Sequence, residues 1–270
     1  MTIYVAACQI IPKHSIKERT QQILASLKVA DTKNVDFLCF PEGFLTGYYA
    51  KKEIAEKTAI RIKDVDFRNL LDKTASFNAT FIIGFNELEQ DKVFNSAAII
   101  EKGKLLGIQR KHYLYHNYFT PGNQFSTFYS KGIAFGVVIC LDANYFEPSR
   151  ILALQGATIL FTPMCNKVPL KHPFAKRPPY YSQFIARAHE NRCWLVGADW
   201  VWSNDGESTC PGHSVIYDPD GQEVVRSIEN EQHFIIAGID KDRLFYEKGR
   251  RVHGPIPSNP LKWPDSSCPH

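Results

Sequence analysis

Residues 133–140, IAFGVVIC, carry no polar side chain before the closing cysteine. A strand with one wet face alternates apolar and polar residues, so an unbroken apolar run marks a strand buried on both faces. VDFLCF (35–40), ATILFTP (157–163) and CWLVGAD (193–199), mostly apolar as well, read as further strands. A chain with several such strands needs cover on both sides of its sheets, and the segments between them supply it. Ser15 with Glu18 forms a capping-box pattern ahead of Ile23, Leu24, Leu27 and Ala30 at helical spacing. Phe67, Leu70, Leu71, Thr74 and Ala75 make a second stripe, and Tyr181, Phe184, Ile185 and Ala188 a third. Pro148 opens a short helix that Gly156 ends.

Further strands are expected at IYVAACQI (3–10), TFIIGFNE (80–87) and HFIIAGID (233–240). VFNSAAII and KLLGIQR flank an EKGK turn and form a hairpin, and GHSVIYDPDGQEVVRS turns at residues 218–221. The fold class is therefore α/β. No Ser/Gly/Pro-rich linker and no internal repeat divides the chain, so one domain is expected over 1–249. A proline-rich tail, 250–270, carries Pro255, Pro257, Pro260, Pro264 and Pro269.

Composition removes several function classes. The net charge of +4 is a small difference between 32 basic and 28 acidic residues, and the basic residues are scattered. Nucleic-acid binding, which needs a concentrated basic face, is not expected. No apolar stretch approaches the roughly 18 residues of a membrane span, and the start reads as a first strand and not as a secretory signal. The seven cysteines are odd in number, widely spaced and without a CxxC pair. Free thiols in a cytoplasmic, reducing compartment are expected, with neither a disulfide framework nor a zinc site.

Strands of α/β proteins deliver reactive groups at their C-terminal ends. Glu42 follows FLCF-Pro, Lys111 follows LLGIQR, and Cys140 stands where the apolar run stops. Singly, each has an ordinary explanation: loop carboxylates and lysines are usually solvated, and cysteine is usually core packing. Cys8, Cys39 and Cys193, inside strands, are assigned to the core. Together the three groups are chemically sufficient to split an amide. A thiol attacks, a carboxylate in an apolar pocket handles the proton, and an ammonium holds the developing oxyanion.

These segments resemble the nitrilase superfamily of carbon–nitrogen hydrolases. FPEGFLTGY (40–48) is similar to its glutamate segment, GIQRKHYL (107–114) to its lysine segment, and VVICLDANYFEPSR (137–150) to its nucleophile segment. YFTPG (118–122), ARAHEN (186–191) and GHSVIYDPDG (212–221) match in the family's order. The resemblance implies a four-layer α-β-β-α sandwich and catalytic Glu42, Lys111 and Cys140. It also implies no metal or organic cofactor and a homodimer or higher homo-oligomer. The expected reaction is hydrolysis of a non-peptide C–N bond in a small amide or N-carbamoyl compound, through a cysteine thioester. The backbone N–H of Leu141 would join Lys111 at the oxyanion. Tyr48, Tyr113, Tyr115, His116 and Asn166 are candidates for the substrate pocket. A nitrile substrate, or a binding module on the same fold, are the alternatives.

Two departures stand out. Where most members resembling this chain have a second glutamate, Tyr115 stands here with His116 beside it, and no Asp or Glu lies between Lys111 and Cys140. After the Asp-x pair, Asn144, Tyr145 and Phe146 replace the family's frequent Arg-Phe-Pro.

Overall fold

The computed structural model describes residues 1–49, 51–172, 181–202 and 206–251. The chain opens with β1 (Thr2–Gln9), α1 (Ile16–Thr32), β2 (Phe37–Cys39), α2 (Lys52–Thr58) and α3 (Val65–Thr74). Then come β3 (Thr80–Glu89), β4 (Lys92–Glu101), β5 (Lys104–Arg110), β6 (Phe128–Ser130) and β7 (Ile133–Val137). A 3-10 turn at Cys140–Asn144 leads into α4 (Phe146–Leu154), β8 (Ile159–Pro163), β9 (Val168–Pro169) and α5 (Ser182–Asn191). The remainder is β10 (Trp194–Ala198), β11 (Ser208–Thr209), β12 (Val215–Tyr217), β13 (Glu223–Arg226), β14 (His233–Asp240) and α6 (Lys241–Gly249).

Two six-stranded sheets, ordered β14-β1-β2-β3-β4-β5 and β13-β12-β10-β8-β7-β6, pack face to face. Three apolar clusters account for the layers. Val5, Phe37, Ile82, Phe135, Phe161 and Val196 belong to the cluster between the sheets. Ala6, Leu38, Phe81 and Ile83, on the opposite face of the first sheet, meet Ile23 and Leu27 of α1 and Phe67 and Leu70 of α3. Val138, Leu160 and Leu195 meet Leu152 of α4 and Phe184 and Ala188 of α5 behind the second sheet. This is the α-β-β-α order, and it explains the unbroken apolar runs: both faces of the central strands are covered. At the middle, Phe135 packs edge-on against Phe37 and Phe161, with ring centroids 5.3 and 5.5 Å apart.

Several local signals act as their chemistry requires. Ser15 and Glu18 form the reciprocal capping box of α1. The β4–β5 hairpin turns through Lys102 and Gly103, both at positive φ, as a two-residue turn matching strand twist demands. Helix α2 and the short strands β6, β9 and β11 carry no comparable signal, whereas α6 is capped by Asp240, whose side chain accepts the Asp242 N–H. Arg251, placed by sequence in the tail, is buried; its guanidinium donates to the carbonyls of Ala153 and Ala157. Residues 252–270, the rest of the expected tail, lie outside the described residues. No helix among the described residues is long and apolar enough to cross a membrane.

Strands β1, β2 and β3 are mutually parallel, and so are β7, β8 and β10. Strand β5, two antiparallel steps from β3, again runs with it. The C-terminal ends of β2 and β5 therefore share one edge of the first sheet. The turn after β2 is seated there by Gly84 of β3. A Cβ on Gly84 would lie 2.2 Å from the Gly43 nitrogen and 2.8 Å from the Glu42 carbonyl carbon. The Leu45 N–H also donates to the Gly84 carbonyl. Gly84→Ala is expected to push this turn off the sheet and to destabilise the protein by about 1–3 kcal/mol. Urea denaturation measures the loss; an unchanged midpoint would mean that the turn gives way freely.

Candidate functional site

The turn after β2 places Glu42 with no solvent exposure. Its N–H donates to Met164 O at 3.1 Å, and its carbonyl accepts Trp200 Nε1 at 2.7 Å. The first sheet's glutamate is thereby tied to the ends of β8 and β10 in the second. Its Oε1 accepts from Lys111 Nζ at 2.6 Å and from Asn95 Nδ2 at 2.7 Å. Lys111 leaves β5 already locked, its N–H donating to Asn95 O and its carbonyl accepting from Gly122. The lysine is 1% exposed. Burial is the largest single influence and favours the neutral amine, but the charge and hydrogen bond of Glu42, with Cys140 and Asp142 adding to them, together outweigh it and hold the group as ammonium.

Cys140 comes from the second sheet, three residues beyond β7. It sits at φ +46°, a left-handed conformation that costs a non-glycine residue energy and sharpens the turn carrying its thiol. Burial and then the Glu42 charge push the thiol up to about 12, while Lys111 and the Cys165 N–H oppose them. At neutral pH the sulfur therefore keeps its proton, near enough to the Glu42 carboxylate to feel its charge. The arrangement is a protonated thiol beside a carboxylate already paired with an ammonium. It can move a proton as the sulfur attacks, and it needs no standing thiolate.

Cys140 and Lys111 open onto a cavity of about 350 Å³. Of the residues singled out from the sequence, Leu141, Tyr48, Tyr115, His116 and Asn166 also line it. Tyr113 does not: its ring stacks on Tyr145 with centroids 3.7 Å apart, because its N–H is drawn to Asp142. Asn166 is turned toward Asp199, donating from both its backbone and its side chain. Tyr181 and Phe184, recognised in the sequence only as a helical stripe, add aromatic wall. Cys165 lines the cavity as well, so Cys140 is not its only thiol. Cys8, Cys39 and Cys193 are buried. Among the described residues, no group of three or more His, Cys, Asp or Glu side chains could hold a metal ion.

With this geometry in view, the similarity to known proteins is specific. Residues 4–244 match the family described as carbon-nitrogen hydrolase. An (R)-stereoselective amidase of Pseudomonas sp is 27% identical over 214 residues, covering 78% of this chain and 75% of the relative. A probable nitrilase of Schizosaccharomyces pombe is 27% identical over 249 residues, covering 88% of each. Among solved structures, Saccharomyces cerevisiae Nit3, a member of branch 10 of the nitrilase superfamily, gives a TM-score of 0.79 at 22% identity. That match spans 92% of this chain and 93% of the other.

Asp142 and Asn95 are residues of the site that sequence reasoning passed over. Asp142 is buried, two residues beyond the thiol, and its carboxylate accepts the N–H groups of His112 at 3.1 Å and Tyr113 at 2.7 Å. It joins the cysteine turn to the lysine loop. Burial pushes its carboxyl up to about 7, with Lys111 and the two N–H groups pulling the other way. The native state thus keeps a proton that the unfolded chain releases near 3.8. Stability from this group is full below about pH 4 and is lost as pH rises toward 7. Asp142→Asn retains an acceptor and removes the titration. Its urea midpoint should fall less than that of the wild type between pH 4 and pH 7. Identical pH dependence in the two proteins would contradict this assignment.

Proposed function

Because the chain belongs to the carbon–nitrogen hydrolase family, we propose that it hydrolyses a small amide or N-carbamoyl compound through a thioester on Cys140. The observation that carries this reading is the 2.6 Å Lys111–Glu42 pair set behind the Cys140 thiol at the end of an aromatic cavity. Cys140 Sγ adds to the substrate carbonyl as its proton passes to Glu42. The carbonyl oxygen, now an oxyanion, is held by the Lys111 ammonium and the Leu141 N–H. Collapse of the adduct breaks the C–N bond, and Glu42 gives the proton to the departing nitrogen. Water then converts the thioester to acid and free thiol. Asn95, bonded to the same oxygen as Lys111, keeps the carboxylate from turning away.

The cavity volume suits a small molecule, and Tyr48, Tyr115, Tyr181 and Phe184 favour a partly apolar one. Free cysteines at Cys8, Cys39, Cys140, Cys165, Cys193 and Cys210 fit a cytoplasmic setting. Exposed Tyr145, Phe146, Phe245 and Tyr246 offer apolar area for a homodimer or higher homo-oligomer. A nitrile is the second candidate substrate, supported by the similarity to the probable nitrilase; the same thiol can add to C≡N.

Ammonia release from a panel of primary amides, N-carbamoyl compounds and nitriles tests the proposal. Turnover is expected to vanish in Cys140→Ala and to fall about 10²–10⁴-fold in Glu42→Gln. Ammonia from a nitrile but not from its amide would favour the second candidate. Activity that survives in Cys140→Ala would rule out the thioester route.

A further inference from the structure

The cavity has a buried end and an open end. Cys140 and the 1% exposed Lys111 form the first; Lys167 and Tyr115, both exposed, form the second. A small molecule whose carbonyl lies on Cys140 therefore carries its far end toward Tyr115 and Lys167. The chain itself bounds that reach. The Met164 carbonyl accepts the Glu42 N–H at 3.1 Å, and Lys167 follows three residues later, so the two backbones are no more than about 11 Å apart.

Lys167 sits on a segment fixed from both sides. Just before it, Asn166 donates its N–H and Nδ2 to the Asp199 carboxylate at 3.1 and 2.8 Å. Just after it, β9 pairs with β11, Val168 opposite Thr209 and Pro169 opposite Ser208, and the Leu170 N–H donates to Glu207 O at 2.9 Å. The Lys167 ammonium stands over the Trp202 ring, 4.6 Å from its centroid. The walls around it carry no acid. The chain has 28 acidic residues among 270, yet none lies between Lys111 and Cys140 and none from Pro148 to His189. Those two spans supply most of the cavity, and among its described lining residues there is no Asp or Glu. Glu42, Asp142 and Asp199 are buried out of the lining and already engaged, with Lys111, with the N–H groups of His112 and Tyr113, and with Asn166. A cleft lined by one sign of charge concentrates ligands of the other sign.

We propose that the substrate carries a carboxylate at the end remote from its scissile C–N bond, and that Lys167 is the specificity-determining residue that pairs with it. The inference rests on the amide reading above. The substrate class is then a monoamide of a small dicarboxylic acid, or the N-carbamoyl derivative of a small amino acid. Lys111 is committed to Glu42 and, during the reaction, to the carbonyl oxygen, so it does not serve the remote group. Asn166 directs its donors to Asp199, and Gln183 Nε2 donates to Asn144 Oδ1 at 3.2 Å. Lys167 is the lysine at the open end, and its exposure keeps small the cost of taking two charges out of water. It meets the remote carboxylate alike before and during the chemical step, so its effect falls on KM.

Three amides of equal reach read the preference: succinamate, butyramide and 3-aminopropionamide, which are anionic, neutral and cationic at pH 7. Wild-type kcat/KM from ammonia release should favour succinamate over butyramide by about tenfold or more, through KM, with 3-aminopropionamide poorest. In Lys167→Gln the ratio of succinamate to butyramide should collapse toward unity. In Lys167→Glu the order should invert in favour of 3-aminopropionamide, which lost packing alone would not produce. Butyramide hydrolysed as well as succinamate, or a succinamate preference that survives Lys167→Gln, would overturn the proposal and leave the Cys140 chemistry standing. If wild type releases no ammonia from any amide, the amide reading fails, and a pair of thiol reagents still decides the charge preference. 3-Maleimidopropionate and N-propylmaleimide add to a thiol through the same ring and differ only in a terminal carboxylate against a methyl group. The ratio of their labelling rates at Cys140, read from peptide mass spectra, should fall about tenfold in Lys167→Gln. An unchanged ratio would overturn the role of Lys167.

Discussion

The site depends on an ion pair kept out of water. Glu42 and Lys111 are both essentially unexposed and meet at 2.6 Å. Each charge alone would cost several kcal/mol to bury, and removing one partner typically costs roughly 3–5 kcal/mol. Such a pair persists only where the surroundings hold its geometry. Asn95 supplies the second hydrogen bond to the carboxylate, Gly84 leaves room for the glutamate turn, and Trp200 grips the turn's backbone from the opposite sheet. Without that support a glutamate at this position would turn to solvent or take up a proton.

The pair also explains the chemistry available to Cys140. Glu42 opposes ionisation of the thiol and Lys111 favours it, and with burial the sulfur stays protonated at rest. A resting thiolate would invite alkylation and oxidation. A thiol that loses its proton only when a carbonyl is in place is spared much of that. The left-handed turn at Cys140 and the Asp142 bridge to the lysine loop hold this triangle across the two sheets.

Much of this was legible in the chain. The unbroken apolar run at 133–140 and the apolar stretch at 37–40 announced strands covered on both sides, and the layers follow from them. Residues at strand ends pointed to Glu42, Lys111 and Cys140 because parallel strands deliver their ends to one edge. Convergence was not legible, since it depends on how the two sheets face each other. The roles of Asn95 and Asp142 were hidden for the same reason: Asn95 sits inside a strand, and Asp142 acts on backbone that precedes it by about thirty residues. Tyr113 went astray because the chain leaves β5 after Arg110 and no longer alternates as a strand; its N–H is held by Asp142, and its ring found Tyr145 instead of the cavity. The segments 173–180 and 203–205, which flank the aromatic wall in sequence, lie outside the described residues.

The most direct test of the account is to catch the covalent intermediate. Enzyme turning over an amide would be quenched in acid within milliseconds to seconds, digested, and its peptides weighed. The account predicts the substrate's acyl mass on the Cys140 peptide, absent from the Cys165 peptide and lost on treatment with hydroxylamine. Ammonia release with no acyl mass on Cys140, or with the acyl group on Cys165, would contradict it.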